Sequence, residues 1–161
     1  MTRYELFLTL HIACVIAWLG SGTALAVLSQ RMSTVELGEW LGPRVFGPSS
    51  LGALGFGLAL VFDGHWSFDP LWIKLGLGAF ALSTFVNAGL RLPVIRRNPP
   101  DRDRKLAALG RFDLAVLYLT VADMVAKPTG GDVTTLTIGG AILALVVLAG
   151  VAQVRIGRTA G

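Results

Sequence analysis

Titratable side chains lie inside two long apolar stretches of this sequence. His11 falls within the uncharged run 6–28, and Asp113 and Asp123 fall within the run 106–126. Ionisable groups at membrane depth are costly, and by default they are functional-site candidates. A neutral imidazole can bind haem iron, copper or zinc, and buried carboxylates can carry protons. These residue types are therefore the candidates for cofactor binding or proton movement.

The polar residues around the two aspartates repeat at the spacing of a helix and form one face. This polar seam consists of Asp113, Thr120, Asp123 and Lys127. Because a polar face is unfavourable against lipid, we expect the seam to point into a helical bundle. Two interpretations stay open. The seam is either a set of internal ion pairs that fixes helix packing, with Arg91 or Arg111 as the partner of Asp113, or a proton or redox pathway.

Five apolar runs would position these residues, each close to the ~20 residues that a membrane-spanning helix needs. The chain has 53% hydrophobic and 15% charged residues, so it is more apolar than soluble domains. We therefore expect an all-α polytopic bundle that forms one integral membrane domain over residues 1–161. No nucleotide-binding or hydrolase motif occurs in the sequence. The predicted spans are 6–28, 45–62, 71–90, 106–126 and 136–154.

The basic residues predict the orientation of these spans. With the N-terminus outside, eleven Lys and Arg side chains lie on the inner side and two lie on the outer side. Positive charge is enriched on the cytoplasmic side of membrane proteins, so this division favours five crossings with the C-terminus inside. Orientation also accounts for the sequence pI of about 9.8, and we therefore expect no nucleic-acid partner.

This orientation places three candidate ligand residues towards the outer leaflet. His11 is within the first span, His65 is in the loop before the third span, and Lys74 is just inside the third span. Lys74 is alternatively a lysine whose amine reaches the interface. For Asp123, the candidate cationic partners are Lys127, four residues later, and Lys74.

The segment between the first two spans predicts a short helix at the membrane interface. A capping pattern begins at Ser33, with Glu36 three residues later. Gly42-Pro43 favours a helix end, and Trp40 belongs to the residue types that anchor at interfaces. An irregular polar loop over residues 34–41 is the alternative.

Three segments together resemble a known group of proteins. They are Leu10-His11 through Trp18-Leu19-Gly20, Trp66-Ser67-Phe68-Asp69-Pro70-Leu71-Trp72-Ile73-Lys74, and Met124-Val125-Ala126-Lys127-Pro128. The chain resembles a family of small bacterial integral membrane proteins with a domain of unknown function. More distantly it is similar to HemJ-type protoporphyrinogen oxidases and CopD-like copper-resistance membrane proteins.

HemJ-type proteins have a first-span histidine followed seven residues later by a tryptophan, as His11 and Trp18 stand here. They have a lysine just inside the third span, as Lys74 stands, and Lys-Pro at the end of the fourth. They also place a histidine deeper in the third span, where this chain has Phe85-Val86-Asn87. The resemblance implies a shared helical scaffold, with His11 and Lys74 as the candidate site residues. If the chain binds haem b, we expect His11 as axial ligand and Lys74 facing a propionate or another acidic group.

The sequence as a whole leads us to expect a small, multi-pass protein of the bacterial inner membrane with an accessory or scaffold role rather than an enzyme. A haem-binding or redox membrane protein with His11 as ligand is the first alternative. Ligation by two histidines would need His65 to fold in from the loop, or a second subunit. A copper or proton transporter that uses the polar seam is the second. The expected partners are the lipid bilayer and either a second copy of the chain or a larger membrane complex.

Overall fold

The computed structural model describes residues 1–28 and 34–159, and every regular element within these ranges is a helix. The α-helices are α1 Arg3–Leu28, α2 Thr34–Leu41, α3 Gly47–Asp63, α4 Leu71–Phe85, α5 Leu92–Arg97, α6 Arg102–Ala126 and α7 Val133–Thr159. Two π-helical turns, Gly42–Phe46 and Val86–Arg91, connect α2 to α3 and α4 to α5. The prediction of an all-α protein is confirmed for this part of the chain.

Four segments of the described chain are long and apolar enough to cross a membrane. They are Arg3–Leu28, Gly42–Asp63, Leu71–Arg97 and Val133–Ala152. These segments contain or overlap the first, second, third and fifth predicted spans. The fourth predicted span coincides with α6, which is one continuous helix of 25 residues but carries charged side chains along its length. A crossing by α6 therefore stays a prediction, as does the orientation of the termini.

The chain forms two compact units, Met1–Asp69 and Pro70–Gly161. In the first unit α1 packs along α3, and the edge of the buried Trp18 ring meets the ring of Phe46. In the second unit α6 packs against both α4 and α7, and Leu106, with 1% of its surface exposed, lies in the core. One membrane domain spanning both units stays a prediction.

Each π turn ends two residues before a proline. Gly42–Phe46 precedes Pro48, and Val86–Arg91 precedes Pro93. A proline within a helix has no N–H to donate, and its ring clashes with the carbonyl group four residues earlier. In both cases that carbonyl group lies inside the π turn, where the wider winding moves it away from the ring. The helix therefore continues through Pro48, which lies in the first turn of α3.

The short helix predicted at residues 34–41 is confirmed as α2, Thr34–Leu41. Trp40 is 57% exposed, as expected for an interface anchor. The guanidinium group of Arg44 lies 5.6 Å from the centre of the Trp40 ring and donates to the Trp40 carbonyl oxygen at 3.2 Å. The α-helix ends directly before Gly42-Pro43, as predicted, and the chain continues as the π turn Gly42–Phe46. The capping pattern at Ser33 lies outside the described residues.

Candidate functional site

His11 lies in the interface between α1 and α3. Its Nδ1 atom is 2.8 Å from the carbonyl oxygen of Ala53, a bond that joins the two helices. A carbonyl oxygen can only accept, so Nδ1 carries the proton in the neutral ring and Nε2 keeps the lone pair. Among the described residues, none forms a hydrogen bond with Nε2 of His11. The available nitrogen of this histidine is therefore Nε2.

Glycines bring the backbone of α3 close to the ring of His11 and to Cys14. A Cβ atom added at Gly57 would lie 3.1 Å from Cε1 and 3.2 Å from Nδ1 of His11. A Cβ atom at Gly52 would lie 2.6 Å from Sγ of Cys14, closer than real side chains allow. Gly55 lies on the same helix and has no such neighbour within 4 Å among the described atoms. Gly52 and Gly57 therefore permit the close approach of α1 and α3.

His65 has a local hydrogen-bonding environment. It is exposed, has a positive φ of 54°, and follows the end of α3. Its Nδ1 atom is 3.1 Å from the carbonyl oxygen of Asp63, two residues earlier. Within residues 1–28 and 34–159, no group of three or more His, Cys, Asp or Glu side chains is arranged to hold a metal ion. The pairing of His65 with His11 on one cofactor stays a prediction.

The most buried charge of the predicted seam is Asp113, with 3% of its surface exposed. Its Oδ2 atom accepts a hydrogen bond of 3.0 Å from Nδ2 of Asn87, which lies in the π turn Val86–Arg91. Ser83, itself 2% exposed, lies beside the same carboxyl group. Asn87 also accepts a bond of 3.0 Å from Nη1 of Arg91. Asn87 therefore stands between Asp113 and Arg91, one of the two arginines expected as its partner.

The amide group of Asn87 has one possible orientation in this cluster. Its NH₂ group donates to the Ser83 carbonyl oxygen at 2.9 Å and to the Asp113 carboxylate, while its oxygen accepts from Arg91. An amide provides two donors on nitrogen and an acceptor on oxygen, so rotating it by 180° would set oxygen against oxygen and donor against donor. Asn87 therefore links a cation and an anion that make no direct ion pair.

In the C-terminal half of the seam, the contacts differ from those that we expected. The Thr120 hydroxyl donates to the carbonyl oxygen of Val116 at 2.7 Å, within its own helix. Both carboxylate oxygens of Asp123 are buried, and no residue of the described chain donates a hydrogen bond to them. The expected ion pairs of Asp123 with Lys127 or Lys74 do not form in the structure. Together with Oδ1 of Asp113, α6 therefore holds three buried carboxylate oxygens without a hydrogen bond from the described residues.

The end of α6 explains why Lys127 leaves the seam. The helix ends at Ala126, and Lys127 adopts a left-handed conformation with φ of 47° before Pro128. This conformation turns the side chain away from the face that it would occupy in a longer helix. Its Nζ atom lies 5.4 Å from the centre of the Trp72 ring on α4, a cation–π contact.

Lys74 and His11 belong to different compact units. Lys74 is exposed on α4. A cofactor that contacts both residues stays a prediction of the resemblance.

Sequence reasoning missed Ser83 and Asn87 as members of the buried cluster. The signal was present, because Ser83, Asn87 and Arg91 follow one another at steps of four residues within an apolar span. Such a row marks one face of a helix, and polar residues on it need partners when they are buried.

The comparisons with known proteins gave no match. No family model, no curated protein and no solved structure is significantly similar to this chain. They neither support nor contradict the resemblance to HemJ-type and CopD-like proteins, which therefore rests on the residues quoted for it.

Proposed function

We propose that this chain is a small, multi-pass protein of the bacterial inner membrane with an accessory or scaffold role. The observation that supports this role is the use of its buried polar groups. His11 is bonded to the backbone of α3, and the Asp113 carboxylate is bonded to Asn87 beside Arg91. Each contact joins two helices, which is what a structural role requires of costly polar groups.

Five crossings follow from this proposal, with the N-terminus outside and the C-terminus inside. The helix α6 has 25 residues, enough to cross a hydrocarbon core of about 30 Å, and its buried Asp113 is hydrogen-bonded to Asn87 in the π turn after α4. Reporter fusions at Gly130 and Gly161 test the topology. We expect the reporter at Gly130 to be outside and the reporter at Gly161 to be inside. An outward reporter at Gly161 would overturn the five-span arrangement.

The scaffold role is tested by affinity isolation of the tagged, full-length protein from membranes, followed by native mass spectrometry. We expect a complex of defined stoichiometry, either with a second copy of the chain or with other membrane proteins. A species that remains monomeric and without protein partners across mild detergents would contradict the scaffold role.

Haem binding is a second candidate function, favoured by the hydrogen bonding of His11. Metal-binding histidines commonly donate one ring N–H to a backbone carbonyl and use the other nitrogen as ligand. The bond from Nδ1 to Ala53 fits that pattern and would leave Nε2 of His11 to hold the iron of haem b. Haem would supply one-electron chemistry, while this chain would fix the orientation of the ligand ring.

An absorption spectrum tests the haem candidate. The purified full-length protein is titrated with haemin, alongside His11→Ala and the matched variant His65→Ala. A Soret band that saturates at one haem per chain, persists in His65→Ala and is lost in His11→Ala is the expected result. A protein without a saturable band, or one whose band is unchanged in His11→Ala, would remove this candidate.

Proton or copper transport is a third candidate, favoured by the buried carboxylate oxygens of Asp113 and Asp123 that no described residue bonds. The test is flux into liposomes that contain the full-length protein, reported by a pH-sensitive dye or a copper-sensitive dye. Transport through these groups predicts that flux is lost in the variant with both Asp113→Asn and Asp123→Asn. Flux that is absent in the native protein, or retained in the variant, would remove this candidate.

A further inference from the structure

The connection between α5 and α6 is the most strongly basic part of the second unit. Five basic and two acidic side chains lie between Arg96 and Lys105. The chain turns at Asn98, which has a left-handed conformation with φ of 44°. We call residues 96–105 the basic hairpin. It directly follows the end of Leu71–Arg97, one of the four segments that are long and apolar enough to cross a membrane.

Both acidic side chains of the basic hairpin are engaged within it. Nζ of Lys105 lies 2.8 Å from Oδ1 of Asp101, one helical turn away. Nε of Arg102 lies 3.3 Å from Oδ1 of Asp103, and Nη1 of Arg102 donates to Oδ1 of Asn98 at 2.8 Å. Lys105 and Arg102 therefore satisfy the local carboxylates and hold the turn in shape.

Three arginines remain, and their charge is not balanced locally. Arg96, Arg97 and Arg104 are exposed, and no carboxylate of the described residues lies within 4.0 Å of their guanidinium groups. These three exposed arginines lie at the same end of two helices, α5 and α6, that pack against each other. This end of the unit carries a compact positive surface.

We propose that Arg96, Arg97 and Arg104 bind the head group of an anionic phospholipid. A guanidinium group presents a planar set of donors that matches phosphate oxygens, often with two parallel hydrogen bonds. Basic clusters next to membrane-spanning helices are attracted to anionic lipids at the depth of the head groups. Within the basic hairpin, Arg102 and Lys105 pair with the local aspartates and stabilise the turn, whereas the other three arginines bind the head group.

The inference rests on the membrane location proposed above, which the reporter fusions test separately. Its own test compares two variants of equal net charge in the same ten residues. Arg96→Gln/Arg97→Gln removes two proposed lipid contacts, whereas Arg102→Gln/Lys105→Gln removes two cations that are paired with aspartates. Binding of phosphatidylglycerol to each full-length protein in detergent is measured by native mass spectrometry, with phosphatidylcholine as the neutral lipid.

We expect the native protein to retain phosphatidylglycerol in preference to phosphatidylcholine. Each juxtamembrane cation contributes about fivefold to such binding, so the Arg96→Gln/Arg97→Gln variant should bind phosphatidylglycerol about 30-fold more weakly. The Arg102→Gln/Lys105→Gln variant should retain at least half of the native binding. Glycerol 3-phosphate, a soluble molecule with the same phosphate chemistry, should not compete at millimolar concentration.

Three results would overturn the proposal. Equal loss in the two double variants would mean that net charge alone attracts the lipid. Competition by glycerol 3-phosphate would identify a soluble phosphate ester as the ligand. A native protein with no preference for phosphatidylglycerol would show that the three arginines do not bind this head group. Circular dichroism of each variant, which reports the helix content, identifies any variant that has not folded, and Arg104→Gln then provides an independent single substitution.

Discussion

The Nδ2 atom of Asn87 lies 3.0 Å from Oδ2 of Asp113, and this hydrogen bond joins the π turn after α4 to the middle of α6. The same amide group receives the guanidinium group of Arg91 on its other side. A neutral side chain therefore separates two opposite charges, keeps both of them hydrogen-bonded and joins two long helices.

Replacing Asn87 should destabilise the second unit. In Asn87→Leu, which keeps a similar volume, the Asp113 carboxylate loses the hydrogen bond from Asn87 and stays buried. We expect the free energy of unfolding to fall by about 1–3 kcal/mol, measured in detergent. The control is Thr84→Val on the same helix, because Thr84 is exposed and bonds only to its own helix. A loss in Thr84→Val as large as in Asn87→Leu would contradict this role of Asn87.

Arg91 and Asp113 should be coupled although they make no direct ion pair. Asp113→Asn leaves the Arg91 cation without its counter-charge, and Arg91→Gln leaves the carboxylate without its cation. The doubly substituted protein restores neutrality, so its loss of stability should be smaller than the two single losses combined by about 0.5–3 kcal/mol. A cycle of Asp113→Asn with Arg104→Gln, an exposed arginine, should be additive. Equal coupling in the two cycles would disprove a specific link through Asn87.

Gly52 should not tolerate a side chain, because its added Cβ would overlap Sγ of Cys14 on α1. We expect Gly52→Ala to lower the free energy of unfolding by about 1–3 kcal/mol. Gly55→Ala on the same helix meets no described atom within 4 Å and should be neutral or stabilising. Combining Gly52→Ala with Cys14→Ala should restore part of the loss, measured by thermal unfolding. Failure of the double variant to recover any stability would place the strain elsewhere.

Lys127 should contribute to stability through the ring of Trp72. Its ammonium group lies 5.4 Å from the ring centre, so Lys127→Met should cost about 0.5–1 kcal/mol, as expected for an exposed cation–π contact. Lys74→Met removes an exposed lysine from α4 and should have no measurable effect on thermal unfolding. If both substitutions cost the same, charge rather than the ring contact would explain the loss.

The periodic parts of the fold could be predicted from the sequence, because apolar runs of this length leave few alternatives to a helix. Arg91 could be predicted only as one of two candidate partners of Asp113, together with Arg111, because both arginines stand near the same predicted end of their spans as Asp113. Two features could not be predicted. The first is the end of α6 at Ala126, because the expected pairing of Asp123 with Lys127 assumed a longer helix. The second is Asn87, because we searched for charged residues and its amide is neutral. Both depend on the local backbone, at a helix end and at a wide turn, which residue spacing alone does not specify.

The π turn Val86–Arg91 also determines in which direction around the helix axis the later side chains point. An α-helix advances by about 100° per residue, and a single wide turn accommodates one extra residue. Each residue after the turn is therefore rotated by about that angle relative to its position in an uninterrupted α-helix. Asn87 lies in this turn and faces α6, while Arg96 and Arg97 come after it. Deleting Gly89 would remove the extra residue and restore ordinary α-helical winding, and it would leave the two arginines on nearly the same side of the helix; with all residues kept, ordinary winding would rotate them by about 100°. Pro93 favours the wide turn, and it therefore helps to determine the side of the helix on which Arg96 and Arg97 lie relative to Asn87.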